Sequence, residues 1–204
     1  MAERVGLYGG SFNPIHNGHL IIARSVAEKL DLARVIFLPS ATPPHKEGES
    51  LIDPHDRAEM VRLAIAGERL FDFSDHDLTC EGPSYTIETI AHFRKELGDD
   101  VGLFWIIGAD WMMELGTWRQ SSELVDACTI VTAARPGWEQ PDLSTLSDRL
   151  SDAQISKLRK HILDTPCIDI SATDIRDRLA AGKSIGYLVP EPVQNYIEMF
   201  RLYR

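Results

Sequence analysis

The stretch GGSFNPIHNGHL, residues 9–20, brings two adjacent glycines, a proline and two histidines three positions apart into one short junction. Gly9 and Gly10 lack Cβ atoms, so a flat or charged ligand can approach the main chain closely. A helix starting near Gly18 or His19 would aim unpaired N–H groups and a partial positive charge at the same place. His16 and His19 add neutral or cationic donors. Bare backbone, a helix start and two imidazoles together suit a phosphate. The stretch contains neither the dinucleotide fingerprint G-x-G-x-x-G nor the P-loop pattern G-x-x-x-x-G-K-[ST]. No third ligand at metal-site spacing accompanies the histidines, so no protein metal site is expected. The plainer alternative is a tight turn carrying two surface histidines.

Two later stretches offer matching chemistry. LPSATPPHKEGE, residues 38–49, carries three prolines that stiffen an irregular loop ending in His45 and Lys46. Such a loop can hold a lysine at a defined place, although alone it would pass for solvated surface. ISATDIR, residues 170–176, offers Ser171 or Thr173 as a helix cap and places Arg176 one turn inside. Hydroxyls, helix N–H groups and a guanidinium form another phosphate cradle, or merely an ordinary cap.

The elements that must position these residues follow from hydrophobic patterning. RVGLY (4–8) and RVIFLPS (34–40) read as short buried strands, with Ile22, Ala23, Val26, Ala27 and Leu30 at helical spacing between them. That makes a βαβ unit with a right-handed crossover. Residues 53–67 read as a helix with Asp53 as N-cap and Pro54 at its first position. LFDFSD is a short strand, SYTIETIAHFRKELG (84–98) a helix closed by Gly98, and VGLFWIIGAD (101–110) the most hydrophobic and therefore central strand. Residues 128–137 read as a further strand, a polar helical-looking segment runs to about Asp164, and CIDIS (167–171) reads as the last strand. Helices over 172–182 and around Val193, Tyr196, Ile197 and Phe200 complete the chain. This alternation predicts an α/β doubly wound parallel sheet, in which ligands sit beyond the carboxyl ends of the strands. All three chemically unusual junctions fall there.

A length of 204 residues suits one domain over 1–204. No run of about eighteen uncharged apolar residues is present, so no membrane association is expected. The first strand begins within a few residues of the start, which leaves no room for a secretory signal. Cys80, Cys128 and Cys167 are odd in number and scattered, which argues against a disulfide framework or Cys-based zinc site and favours the cytosol. A net charge of −10 disfavours nucleic acid as a partner, without excluding a small anion held by a local cation cluster. A homo-oligomer is compatible with these features but not specified by them.

GGSFNPIHNGHL resembles the H-x-G-H signature of the nucleotidyltransferase superfamily, whose Rossmann-like fold is distantly related to that of class I aminoacyl-tRNA synthetases. PPHK and ISATDIR are similar to the superfamily's later elements, in the expected order. With GPSYTIET, IIGAD and GTWR added, the chain resembles the bacterial nicotinate-nucleotide adenylyltransferases. The resemblance runs from residue 5 to about 138 and from 168 onward, leaving 139–165 unmatched. Ser40 stands where many members have Asn, and Ala172 where many have a second Ser; each puts one hydrogen bond in question.

The resemblance implies transfer of AMP from ATP to nicotinate mononucleotide, giving the dinucleotide and pyrophosphate for NAD biosynthesis. It assigns His16 and His19 to the triphosphate, and Ser171, Thr173 and Arg176 to the β- and γ-phosphates. Lys46 goes to the mononucleotide phosphate or the reacting phosphates. Gly9, Gly10, Ser11 and Phe12 would contact adenosine, with Gly108 and Asp110 near the ribose and adenine. Ser40, His45, Thr86 and Trp118 would serve the nicotinate nucleotide, Thr86 by helix N–H groups and Trp118 by ring stacking. Trp105 and Trp111 are the better core candidates. Mg²⁺ is expected, bridged through ATP phosphates and water. Nicotinamide-mononucleotide, phosphopantetheine and cytidylyl transfer remain the enzymatic alternatives, and a nucleotide-sensing module the non-enzymatic one.

Overall fold

The computed structural model describes residues 2–41, 51–80, 82–133 and 142–204. In chain order these form β1 (Arg4–Gly10), α1 (Asn17–Leu30), β2 (Arg34–Pro39), α2 (Pro54–Ile65), β3 (Phe71–Phe73), α3 (His76–Thr79) and α4 (Thr86–Leu97). There follow β4 (Gly102–Gly108), α5 (Ala109–Met112), α6 (Ser121–Ala127), β5 (Thr129–Ala133), α7 (Asp152–Lys160), β6 (Ile162–Leu163), α8 (Ala172–Ala180) and α9 (Glu191–Phe200). Short 3₁₀ turns occupy Leu115–Thr117 and Leu143–Leu146.

The described strands make one parallel sheet in the order β3-β2-β1-β4-β5-β6, with the order reversing between β1 and β4. Alternate strand residues feed two cores. On one face Phe37, Phe104, Ile106 and Val131 pack against α1, α2, α8 and α9 through Val26, Met60, Ile175 and Ile197. On the other, Leu7, Leu38, Trp105 and Ile130 pack against α4, α6 and α7 through Phe93, Leu124 and Leu158. Both faces are covered, as an all-parallel sheet requires.

The two central strands part company where ligands are expected. β1 pairs with β4 only through Arg4–Leu7, while its last residues, Tyr8 to Gly10, stay with β2. β4 meanwhile stays with β5 as far as Gly108. The sheet therefore opens a cleft at its switch point.

Local signals set most element ends. The Asp53 carboxylate caps α2, accepting from the His55 N–H at 2.8 Å, and Ser151 and Gln154 close a capping box on α7. The polar segment leading to Asp164 is only partly helical, resolving into the 143–146 turn, α7 and β6.

One expected strand is absent. The last strand is β6 at Ile162–Leu163, paired with Thr132 and Ala133, while residues 164–171 form no ladder. The alternation in CIDIS is real, since Ile168 and Ile170 turn inward and Cys167, Asp169 and Ser171 outward. Ile168 and Ile170 line the cleft instead of a sheet face. Period-two burial needs an extended chain, and an extended chain does not need a paired neighbour.

Gly9 also makes room for a neighbour within the fold. A Cβ there would lie 2.6 Å from two ring atoms of Trp105, so the missing side chain makes room for an indole. Gly10 likewise receives the Phe12 ring, with atoms 3.2–3.4 Å from a Cβ position. Trp105 is 5% exposed and has little freedom to move away. Gly9→Ala is therefore expected to cost about 1–3 kcal/mol by overpacking. Chemical denaturation would check it; an unchanged midpoint and slope would contradict the contact.

Candidate active site

The switch-point cleft encloses about 460 Å³. It is lined by Gly9, Gly10, Ser11, Phe12, His16, His19, Ser40, Thr86, Gly108, Asp110, Trp118, Ser171, Thr173 and Arg176. All the site residues expected from sequence thus converge except His45 and Lys46, which lie outside the described residues.

His16 is the N-cap residue of α1, and its main-chain N–H donates to Nδ1 of His19 at 3.2 Å. That bond makes Nδ1 the acceptor, so a neutral His19 carries its proton on Nε2. The two imidazoles stack with centroids 3.7 Å apart and planes inclined by 24°. Phe12 and Tyr8 meet the His19 ring edge-on, at 5.1 and 6.0 Å. Gly18 is required between the histidines, because a Cβ there would sit 3.0 Å from His16 Nδ1 and 3.3 Å from Ile168. His16 is buried, yet it borders the cleft rather than joining the apolar core.

At the start of α8, the Ser171 hydroxyl accepts from the Asp174 N–H at 3.0 Å and is the cap. Arg176 donates from Nη1 to the Asn13 carbonyl at 2.9 Å and from Nη2 to Thr173 Oγ1 at 3.2 Å. The guanidinium is thereby tied to the loop that carries the histidines.

The cleft also has an aromatic wall. Trp111 and Trp118 meet edge-to-face at 6.4 Å, and both line the cleft, as does the buried Trp105. Thr86 opens α4, a twelve-residue helix whose N-cap, Tyr85, makes no side-chain capping bond. Arg119 crosses the Tyr85 ring at 4.6 Å and pairs with Glu88 at 3.1 Å, which joins the Trp118-bearing turn to the first turn of α4.

Three participants were missed by sequence reasoning. Arg119 lies inside the GTWR stretch, but only its tryptophan drew attention. Arg57 has no exposed surface; Nη1 donates to the carbonyls of Ser11 and Ser40, each at 2.7 Å, and Nη2 to that of Ala41 at 3.1 Å. Its Nε reaches the Ile52 carbonyl at 3.2 Å, and burial draws its pKa below the ordinary guanidinium value. The signal was available, since Arg57 stands in the apolar stripe of α2 with Ala58, Val61 and Ile65. Asp77, 4% exposed and lining the cleft, accepts from the Thr89 hydroxyl at 2.8 Å. Burial pushes its carboxyl up to about 6 despite that bond. Nothing in its sequence surroundings marked it.

A doubly wound sheet with imidazoles, a guanidinium and helix starts gathered at the switch point defines a nucleotide-binding α/β protein. The family model described as cytidylyltransferase-like matches residues 7–178. A relative from Moorella thermoacetica, designated "probable nicotinate-nucleotide adenylyltransferase", is 40% identical, with 98% of this chain and 92% of that protein covered. One of the same designation from Clostridium novyi is 39% identical, with 99% and 100% covered. Nicotinic acid mononucleotide adenylyltransferase of Plasmodium falciparum, solved in complex with NaAD, superposes with a TM-score of 0.76 at 17% identity, over 98% of this chain and 97% of that one. The chain belongs to the nicotinate-nucleotide adenylyltransferase family, within the cytidylyltransferase-like nucleotidyltransferases.

Asp77 yields a pH test. Its folded pKa of about 6 exceeds its ordinary value of 3.8, so the folded protein holds this proton more tightly than the unfolded chain. The associated stability is complete below about pH 4 and is lost as pH rises through about 6. Asp77→Asn has no such proton to lose. Its stability relative to the unsubstituted protein is expected to rise by about 1–3 kcal/mol between pH 4 and 7. Parallel stability-versus-pH curves for the two proteins would contradict the burial argument.

Proposed function

We propose that this chain transfers AMP from ATP to nicotinate mononucleotide, forming nicotinate adenine dinucleotide and pyrophosphate. The carrying observation is one cleft lined by His16, His19 and Arg176, which we assign to the phosphates, together with Trp111, Trp118 and the start of α4. Family membership supplies the substrate class. We read residues 1–204 as one nucleotidyltransferase domain acting in the cytosol, which the three scattered cysteines favour.

The mononucleotide phosphate already carries a nucleophilic oxygen. It attacks the α-phosphorus of ATP in line, forming the new P–O bond as the bond to the bridging oxygen of pyrophosphate breaks. No enzyme nucleophile is needed, so the residues act by positioning and by neutralising charge. His19 offers Nε2–H, the tautomer set by the bond to Nδ1. His16 lies stacked against it, and Arg176, Ser171 and Thr173 take the β- and γ-phosphates. Gly9, Gly10, Ser11 and Phe12 face adenosine, with Gly108 and Asp110 toward its ribose and base. Lys46 is assigned to the mononucleotide phosphate or the reacting phosphates, and His45 and Ser40 to the nicotinate nucleotide. A bound Mg²⁺ would spread charge across the phosphates. We assign its ligands to phosphate oxygens and water; among the described residues no group of three His, Cys, Asp or Glu side chains could hold a metal.

Acid selectivity follows from the pyridine end. Thr86 and the first turn of α4 present N–H donors, and Arg119 adds a cation to the wall. A carboxylate satisfies these groups, whereas the NH₂ of an amide faces other donors. With ATP and each mononucleotide, pyrophosphate release should favour the nicotinate form by about 10²-fold or more in kcat/KM. Equal efficiencies would move the chain to a broader-specificity reading. Preference for CTP, or for phosphopantetheine as acceptor, would replace the proposed substrates, and no turnover would leave a nucleotide sensor.

Single substitutions separate the two ends. His16→Ala and His19→Ala should each lower kcat by about 10²-fold or more, while circular dichroism remains native. Trp118→Ala should raise KM for the mononucleotide and leave that for ATP nearly unchanged. Near-normal turnover in both histidine variants would overturn the phosphate assignment.

A further inference from the structure

The loop between β1 and α1 is held from behind by side chains far away in sequence. Phe12 has φ 43°, in the left-handed region, so the backbone here departs from the strand geometry that precedes it. Arg57 takes the Ser11 carbonyl and Arg176 the Asn13 carbonyl. Asn13 is only 2% exposed, and its Oδ1 accepts from the Tyr203 hydroxyl at 2.9 Å. One buried asparagine thus receives a bond from α8 and another from the chain beyond α9.

Tyr203 is built for this contact. Its residue stands at φ 63°, left-handed and uncommon for a bulky side chain, and its ring packs against the apolar core beside α9. Burial pushes the phenol's pKa up, so the hydroxyl remains a donor throughout the neutral range. The ring gives the segment its packing, and the hydroxyl adds a directed bond to a loop that bears catalytic residues.

We infer that Tyr203 is a positioning residue for adenylyl transfer, its hydroxyl fixing Asn13 so that Asn13 in turn holds Arg176 at the phosphate end of the cleft. This rests on the assignment of Arg176 to the ATP phosphates. Removing the hydroxyl takes one directed bond from the buried Asn13 side chain, so the main-chain carbonyl of the same residue, which accepts from Arg176, is held less firmly. The Arg176 fork then loses a fixed anchor, which matters because guanidinium recognition of phosphate is geometric. The pyridine end lies across the cleft and should not register the change.

The test is steady-state kinetics on the full chain with Tyr203→Phe, Asn13→Ala, Arg176→Ala and the double variant Tyr203→Phe/Arg176→Ala. Tyr203→Phe keeps the packed ring; it should lower kcat/KM for ATP by about five- to tenfold and leave KM for nicotinate mononucleotide unchanged. Asn13→Ala, which retains the phenol, should reproduce that split and serves if the tyrosine variant folds poorly. The double variant should be no worse than Arg176→Ala alone, since coupled residues are non-additive. ATP parameters within twofold of the unsubstituted protein in Tyr203→Phe, with Arg176→Ala impaired, would overturn the positioning role and leave the phosphate assignment standing. Additive losses would also overturn it, by showing that Tyr203 does not act through Arg176. Unchanged ATP parameters in Arg176→Ala would instead overturn the phosphate assignment itself, and the inference with it.

Discussion

The guanidinium of Arg57 is shut away from solvent and donates to the carbonyls of Ser11, Ser40, Ala41 and Ile52. Burying an isolated charge costs several kcal/mol, and here four main-chain carbonyls offset it, each hydrogen bond to a charged group contributing about 1.5–3 kcal/mol. The exchange works both ways. Those carbonyls belong to irregular backbone that has left the sheet ladder, and without Arg57 they would be buried acceptors with fewer donors. A single side chain therefore fixes the separation between Ser11 on one loop and Ser40 and Ala41 on the other. The cleft's shape at its nucleotide end depends on that distance.

Glycine serves this site by admitting rings. Gly9 accepts the Trp105 indole, Gly10 the Phe12 ring, and Gly18 the His16 imidazole. In the H-x-G-H stretch the helix start is thus not left bare for the ligand. His16 folds over the first turn, stacks on His19 and supplies the N–H that selects its tautomer. The motif is a device for orienting a donor, with the glycine as its clearance. In a chain of net charge −10, His16, His19, Arg119 and Arg176 nevertheless line one cleft, together with Asp77 and Asp110.

Much of this was legible in the sequence because it is local. Asp53 and Ser171 cap helices through bonds to residues two or three positions ahead, which spacing alone can specify. Hydrophobic periodicity located β1 to β5 and the longer helices between them, and the position of the histidines just after β1 placed them at the cleft. CIDIS misled because its alternation reports burial, while strand identity depends on a partner that β5 had already given to Ile162 and Leu163.

Tertiary structure decided what hangs on long-range geometry. That Gly9 answers to Trp105, that Arg57 faces carbonyls rather than water, and that Tyr203 reaches Asn13 across 190 positions are relations between segments with no common local pattern. Asp77 shows the same division in its chemistry. The sequence supplied a carboxyl of ordinary acidity, and burial, against the opposing Thr89 hydrogen bond, raised its pKa to about 6. Residue types and short spacings determine which groups are present and which helices they begin. Packing determines how much water each group keeps, and with it the protonation, orientation and partners on which the chemistry depends.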